Sequence, residues 1–130
     1  MIKGLESVNI FTQSAKKLAK FYKEKVGLKS TGEFEMGEGK DAGEVYSFEF
    51  KRGSDLYIVD HSKVKGENKN PERMMLNFEV DDIKKEVAKL KRAKVKVITD
   101  TYHLEMYGWI ATFADVDGNY FQLVQVRVSK

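Results

Sequence analysis

The stretch Phe113-Ala114-Asp115-Val116-Asp117-Gly118-Asn119-Tyr120-Phe121-Gln122-Leu123 decides the fold. Two β-prone runs, residues 109–114 and 120–126, flank Asp-x-Asp-Gly-Asn. Asp side chains cap turn amides, and Gly118 and Asn119 tolerate positive φ, so the stretch reads as a tight hairpin. Upstream, Val95, Val97 and Ile98 begin a further β-prone stretch. Before them Ile83, Val87 and Leu90 carry a helical stripe to about Ala93, with Asp81 or Asp82 able to cap it. Residues 75–80 alternate as a half-buried strand does. The second half of the chain therefore reads strand, helix, several strands.

The same order occurs in the first half. Residues 5–12 alternate, with Val8, Ile10 and Thr12 on one side and Ser7, Asn9 and Phe11 on the other. Ser14 offers an N-cap hydroxyl, Ala15, Leu18, Ala19, Tyr22 and Val26 form an apolar helical stripe, and Gly27 ends it. Residues 45–50 and 56–59 are β-rich, separated by Arg52-Gly53-Ser54-Asp55, and two or three strands fit between residues 29 and 61. Val8-Asn9-Ile10 registers on Leu76-Asn77-Phe78, 68 positions on, and Ser14 then lies on Asp82. Leu56-Tyr57-Ile58 registers on Phe121-Gln122-Leu123, 65 positions on. The pattern predicts an α+β fold of two βαβββ modules, at about 1–63 and 72–130, within a single 1–130 domain. Residues 64–71, polar and holding the one proline, form the connector.

Composition narrows the chemistry. The 130 residues support a core without staples, since a chain this long buries about two thirds of its unfolded surface. With no cysteine there is no disulfide framework, thiolate metal site or cysteine nucleophile, and two histidines, His61 and His103, preclude a three-histidine metal site in one chain. Of the 23 basic residues only four are Arg, against 20 acidic ones. Lys16, Lys17, Lys20 and Lys23 on the first helix, and Lys84, Lys85, Lys89, Lys91 and Arg92 on the second, read as solvated helix faces, and nucleic-acid binding is not expected. No apolar run is long enough to span a membrane, Met1-Ile2-Lys3-Gly4 opens no signal peptide, and the chain reads as cytoplasmic.

Taken with the two modules, the hairpin at 113–123 resembles the closing hairpin of the vicinal oxygen chelate superfamily, the group of glyoxalases, bleomycin-resistance proteins and extradiol dioxygenases. Phe21-Tyr22 followed by Val26-Gly27-Leu28, and Phe78-Glu79-Val80-Asp81-Asp82-Ile83, resemble its two other landmarks. The resemblance covers nearly the whole chain. It implies an open, cleft-bearing β-barrel-like sheet with helices on the outside and a ligand or metal held on the concave face. Alternation then assigns Val8, Ile10, Leu56, Ile58, Leu76, Phe78, Val80, Phe121 and Leu123 to the helices. The cleft receives Ser7, Asn9, Phe11, Tyr57, Val59, His61, Met75, Asn77, Glu79, Tyr120, Gln122 and Val124.

Metal-binding members place ligands at positions that fall here on Ser7, Tyr57, Met75 and Gln122. Only Gln122 is a ligand type seen there, so no metal is expected. Shifting the first strand by one residue brings Glu6 into the cleft but buries Asn9 and Phe11, which disfavours it. Zn, Ni, Mn or Fe held off-pattern by Glu79, His61 and Gln122 is the alternative. Glu79, beside Asn77, and Gln122 are the candidate acid–base groups.

Phe11, Tyr57, Tyr102, Tyr107, Trp109 and Tyr120 supply stacking surfaces, and Met36, Met74, Met75 and Met106 an adaptable lining. Residues 32–43, with Glu33, Glu35, Glu38, Asp41 and Glu44, read as a mobile acidic loop over the cleft, and 101–108, with His103, as a loop bordering it. Ser7, Asn9, Phe11, Tyr57, Met75, Asn77, Glu79, Tyr102, Trp109 and Gln122 are the candidate ligand-binding residues. The function expected is binding of a small organic molecule without a catalytic metal, by a chain that forms a homodimer. The alternative is a lyase or isomerase of the glyoxalase type, or an enzyme related to the dioxygenases, acting on a small oxygen-bearing substrate.

Overall fold

The computed structural model describes residues 1–39 and 42–126. Two compact units, Met1–Gly66 and the chain from Glu67 on, divide it within the polar stretch 64–71. Each unit is one βαβββ module, so the α+β architecture follows the repeat in the sequence.

In the first unit the strands are β1 (Ser7–Thr12), β2 (Gly32–Met36), β3 (Gly43–Phe48) and β4 (Asp55–Asp60), in sheet order β1-β4-β3-β2. β1 runs parallel to β4 with Asn9 beside Tyr57, and β3 runs antiparallel to β4 with Ser47 beside Tyr57. Helix α1 (Ala15–Phe21) packs on β1, β3 and β4. Its capping is over-determined. Ser14 accepts from the Lys17 N–H, Thr12 Oγ1 accepts from the Ser14 N–H, and Asp60 accepts from the N–H of Ala15 through one oxygen and of Glu44 through the other. The stripe Ala15, Leu18, Ala19 and Tyr22 is buried against Tyr46, Phe48, Leu56 and Ile58 of the facing sheet side. Full burial of a Leu or Ile side chain contributes about 1.5–3 kcal/mol, so this seam holds the unit together. The helix continues to Val26 as a π-helical turn (Tyr22–Val26), and Gly27, at φ 90°, ends it.

The segment 32–43 differs from its reading as a loop. Residues 32–36 form edge strand β2, paired with β3 through Phe34 beside Val45, and Glu44 lies in β3. Asp41 is outside the described residues.

In the second unit the strands are β5 (Leu76–Glu79), β6 (Lys96–Leu104), β7 (Gly108–Ala114) and β8 (Tyr120–Val126), in sheet order β5-β8-β7-β6. Helix α2 (Ile83–Arg92) is capped by Asp82 accepting from the Lys85 N–H, and packs on β6, β7 and β8. Ile83, Val87, Leu90 and Val95 meet a sheet face of Ala111, Phe113, Phe121 and Leu123, all buried. Phe121 anchors it, 5.8 Å from the Phe113 ring and 6.0 Å from that of Phe78. The segment 101–108 is also less of a loop than its sequence implies. β6 runs on to Leu104, and only a tight turn joins it to β7. That turn needs Gly108, at φ 144°, because a Cβ there would lie 2.2 Å from the Gln125 carbonyl oxygen.

The Asp-x-Asp-Gly-Asn hairpin closes on itself. Asp115 Oδ1 accepts from the N–H groups of Asp117 and Asn119, and Oδ2 from the Asn119 side-chain amide. Gly118 takes positive φ, 79°, whereas Asn119 does not. Asn68 of the connector is bound to this turn through its N–H to the Asp117 carbonyl and its side chain to Asn119.

Candidate functional site

Each sheet has one face covered by its helix and one face without a helix, and strand register decides which side chains share the second. In the first unit one cross-strand row reads Asn9, Tyr57, Ser47 and Gly32, and the next Phe11, Val59, Val45 and Phe34. Ser7 lies one pleat beyond Asn9, beside Asp55. In the second unit the corresponding rows read Asn77, Gln122, Thr112 and Thr99, and then Glu79, Val124, Ile110 and Tyr102. Parallel or antiparallel, paired residues point to the same side. Ser7, Asn9, Phe11 and Tyr57 thus share one face, and Asn77, Glu79, Tyr102 and Gln122 share the other.

The rows repeat between modules: an Asn on the first strand, a hydrogen-bonding side chain on the last, and a hydroxyl on the strand before it. The hydroxyl members, Ser47 and Thr112, are absent from the sequence-derived candidates. Ser47 Oγ lies 3.2 Å from Thr31 Oγ1, and Gln122 Nε2 donates to Thr112 Oγ1 at 2.9 Å. Both are buried. Ser47 and Thr112 are 65 positions apart, the offset that also relates Tyr57 to Gln122, and that spacing is the signal by which they are found.

Two candidates are placed elsewhere. Trp109 pairs with Gln125, whose side chain accepts from the Ile83 N–H at the start of α2. Trp109 therefore lies on the helix side of its sheet, with the His103 ring 4.8 Å away, and is not brought together with Gln122. Met75 precedes β5 and is half-buried. Among the other aromatics, Phe11 is exposed and meets the His61 ring edge-on at 5.3 Å, and Tyr120 pairs with Ala114 on the Gln122 face. Tyr107 sits in the β6–β7 turn, with its N–H on the Leu104 carbonyl.

The electrostatics of the first face centre on Tyr57. Desolvation pushes its phenol pKa up, and the carboxylates of Glu6, Asp55 and Glu49 push it further in the same direction. At neutral pH it is a neutral donor and acceptor, not an anionic ligand.

That bears on metal chemistry. The four positions that the resemblance matches to metal ligands carry a hydroxyl (Ser7), a protonated phenol (Tyr57), a thioether (Met75) and an amide (Gln122) whose Nε2 donates to Thr112. A divalent ion takes imidazole, carboxylate or carbonyl donors at about 2.0–2.2 Å, and of these four positions only Gln122 offers one, so this donor set does not fit such an ion. His61 belongs to the first unit and Glu79 and Gln122 to the second. His61 Nδ1 also accepts from the Lys63 N–H. Among the described residues no group of three or more His, Cys, Asp or Glu is arranged to hold a metal.

With this geometry in hand, comparison with known proteins gives one family. The sequence model of the Glyoxalase/Bleomycin resistance protein/Dioxygenase superfamily matches residues 4–123. The chain belongs to this superfamily. A curated relative, the uncharacterized protein YetH of Bacillus subtilis (strain 168), is 27% identical over 123 residues, spanning 95% of this chain and 98% of its own. A glyoxalase family protein from Bacillus cereus superposes with a TM-score of 0.77 at 17% identity, covering 97% of this chain and 95% of that one. TnmS3, an antibiotic binding protein from Streptomyces sp. CB03234, superposes at 0.70 with 23% identity, covering 97% and 98%. These structural likenesses establish the superfamily fold, which hosts more than one chemistry. Among the described residues no helix is long and apolar enough to cross a membrane.

Proposed function

We propose that this superfamily member binds a small organic molecule on the helix-free sheet faces, without a resident catalytic metal, and that it associates as a homodimer. The observation that supports the reading is the pair of neutral rows, Asn9–Tyr57–Ser47 and Asn77–Gln122–Thr112, which hold Tyr57 and Gln122, two of the four positions that the resemblance matches to metal ligands. Uncharged donors and acceptors beside exposed aromatic rings (Phe11 and Phe34 on one face, Tyr102 on the other) suit orientation of an amphipathic molecule. The antibiotic-binding description of TnmS3 supports the same reading.

The test is a ligand-observed NMR screen of chelator-treated protein against drug-like and metabolite-like compounds. Saturable binding weakened by Asn77→Ala or Tyr57→Phe is expected. Binding that appears only after Zn, Ni, Mn or Fe is added contradicts the reading, and a monomer by light scattering removes the homodimer.

A second reading, proton transfer at a carbon beside an oxygen-bearing group, is favoured by Glu79 and Gln122 lying on one face of adjacent strands, two residues apart in register. Turnover that survives both Glu79→Ala and Gln122→Ala removes it.

A further inference from the structure

Basic side chains are distributed unevenly in this molecule. The chain holds 23 Lys and Arg, yet among the described residues the strands carry a single one, Lys96. The helical segments, in contrast, hold Lys16, Lys17, Lys20, Lys23 and Lys25 in the first unit and Lys84, Lys85, Lys89, Lys91 and Arg92 in the second, all exposed. Within the helices and strands, positive charge is thus concentrated on the helix side of each sheet, while further Lys and Arg, among them Lys51, Arg52, Lys63 and Arg73, lie in the loops. On the helix-free faces the charged strand positions are Asp55, Glu79 and Lys96, and Lys96 pairs with Ala114, one pleat beyond the Thr112 row.

A protein that binds a carboxylate, phosphate or phosphonate uses Arg or Lys, or the free N–H groups of a helix N-terminus. Two first-turn N–H groups of each helix are occupied here. The Ala15 and Lys17 N–H groups of α1 are taken by Asp60 and Ser14, and the Ile83 and Lys85 N–H groups of α2 by Gln125 and Asp82. Apart from the Lys96 ammonium on edge strand β6, the donors left on the helix-free faces are amides, hydroxyls and the phenols of Tyr57, Tyr102 and Tyr120. An anion moved there would exchange its hydration for neutral dipoles. On the first face, the charges that act on Tyr57 are all carboxylates.

We infer that the ligand is an amphipathic organic molecule bearing no anionic group, so that the helix-free faces accept neutral and cationic compounds and reject carboxylates and phosphonates. This rests on the small-molecule reading proposed above and narrows its ligand class. Glu79, exposed at the end of the Val124–Ile110–Tyr102 row, is the position where a cationic group is favoured over a neutral one.

The test uses the full chain in about 0.15 M salt, where surface attraction to the lysine-rich helices is screened. The probes are 2-naphthylmethylamine, 2-naphthalenemethanol and 2-naphthoate, alike in ring and unlike in charge, titrated by ligand-observed NMR. The amine and the alcohol are expected to saturate the protein and compete with each other. Naphthoate is expected to bind at least tenfold more weakly. Naphthoate that binds as tightly as the alcohol and is displaced by it overturns the inference while the small-molecule reading stands. Failure of all three, together with an empty screen of the wider compound set, overturns that reading and the inference with it. Glu79→Lys is expected to strengthen naphthoate and weaken the amine, each roughly fivefold, the scale of one partly solvated charge pair. A variant that shifts neither overturns the role given to Glu79.

Discussion

Gln122 Nε2 donates to Thr112 Oγ1 at 2.9 Å across the β7–β8 pair, and the bond ties the half-buried Gln122 amide of the second face to a buried hydroxyl. It fixes which end of the Gln122 amide is presented to a ligand, namely the carbonyl oxygen. Thr112→Val, which keeps shape and removes the acceptor, is expected to cost about 1 kcal/mol of stability and to weaken ligand binding roughly fivefold. Gln122→Ala leaves the Thr112 hydroxyl without this partner and is expected to cost more, about 2 kcal/mol. Urea denaturation and titration of a screening hit read the two effects separately.

Asp60 joins the start of α1 to the start of β3, accepting from Ala15 at 2.5 Å and from Glu44 at 2.9 Å. Asp60→Ala orphans both N–H groups and is expected to destabilise the protein by about 3 kcal/mol. Asp60→Asn keeps one carbonyl acceptor and is expected to recover about half of that. Equal losses in the two variants, measured by chemical denaturation, contradict the assignment.

The carboxylate of Asp115 is the organiser of the hairpin that decides the fold. Its two oxygens satisfy three donors, and it is buried. Asp115→Ala is expected to lower the Tm by roughly 10 °C, corresponding to about 3 kcal/mol. Val116→Ala, one residue on and exposed, is the control and is expected to leave Tm nearly unchanged.

Stability at alkaline pH carries a signature of Tyr46. Its phenol is pushed up to about 12 from an ordinary value of 10.0, by burial first and then by its hydrogen bond to Glu44 and the charges of Glu44, Glu33 and Asp60. The folded-state pKa is above the unfolded one, so this contribution is complete below pH 10 and is lost as pH rises from 10 to about 12. Tyr46→Phe is expected to show a shallower fall in stability across that window. An ultraviolet titration of the folded protein is expected to show one tyrosine ionising near 12, and its absence contradicts the assignment.

Much of this architecture was legible because period and repeat agreed. The alternation of Val8 and Ile10 against Asn9 and Phe11 fixed the face of β1, and the offset of 68 carried it to Leu76 and Phe78 against Asn77 and Glu79. The burial of Leu56, Ile58, Phe121 and Leu123 bears out the helix-facing assignments for those residues. Trp109 was misplaced for a physical reason. β7 is a central strand buried on both sides at residues 110–114, so its sequence carries no period of two to say which face Trp109 joins. In β6 two register shifts, between Val97 and Thr99 and between Thr99 and Tyr102, break the alternation and make a strand read as a loop. Residues 32–36 read as loop, although a third strand fits between 29 and 61, because an edge strand held by backbone bonds needs few apolar side chains and Phe34 is flanked by Glu33 and Glu35. Ser47 and Thr112 were passed over because a hydroxyl inside a strand reads as filler until its cross-strand partner is known.

The most direct test of metal-independent binding is calorimetric titration of a hit from the ligand screen into the protein, once after exhaustive chelation and once with one equivalent each of Zn, Ni, Mn and Fe(II). The same affinity within twofold and the same stoichiometry are expected in both. Binding lost on chelation and restored by a single divalent ion would place a metal at the site and contradict the account.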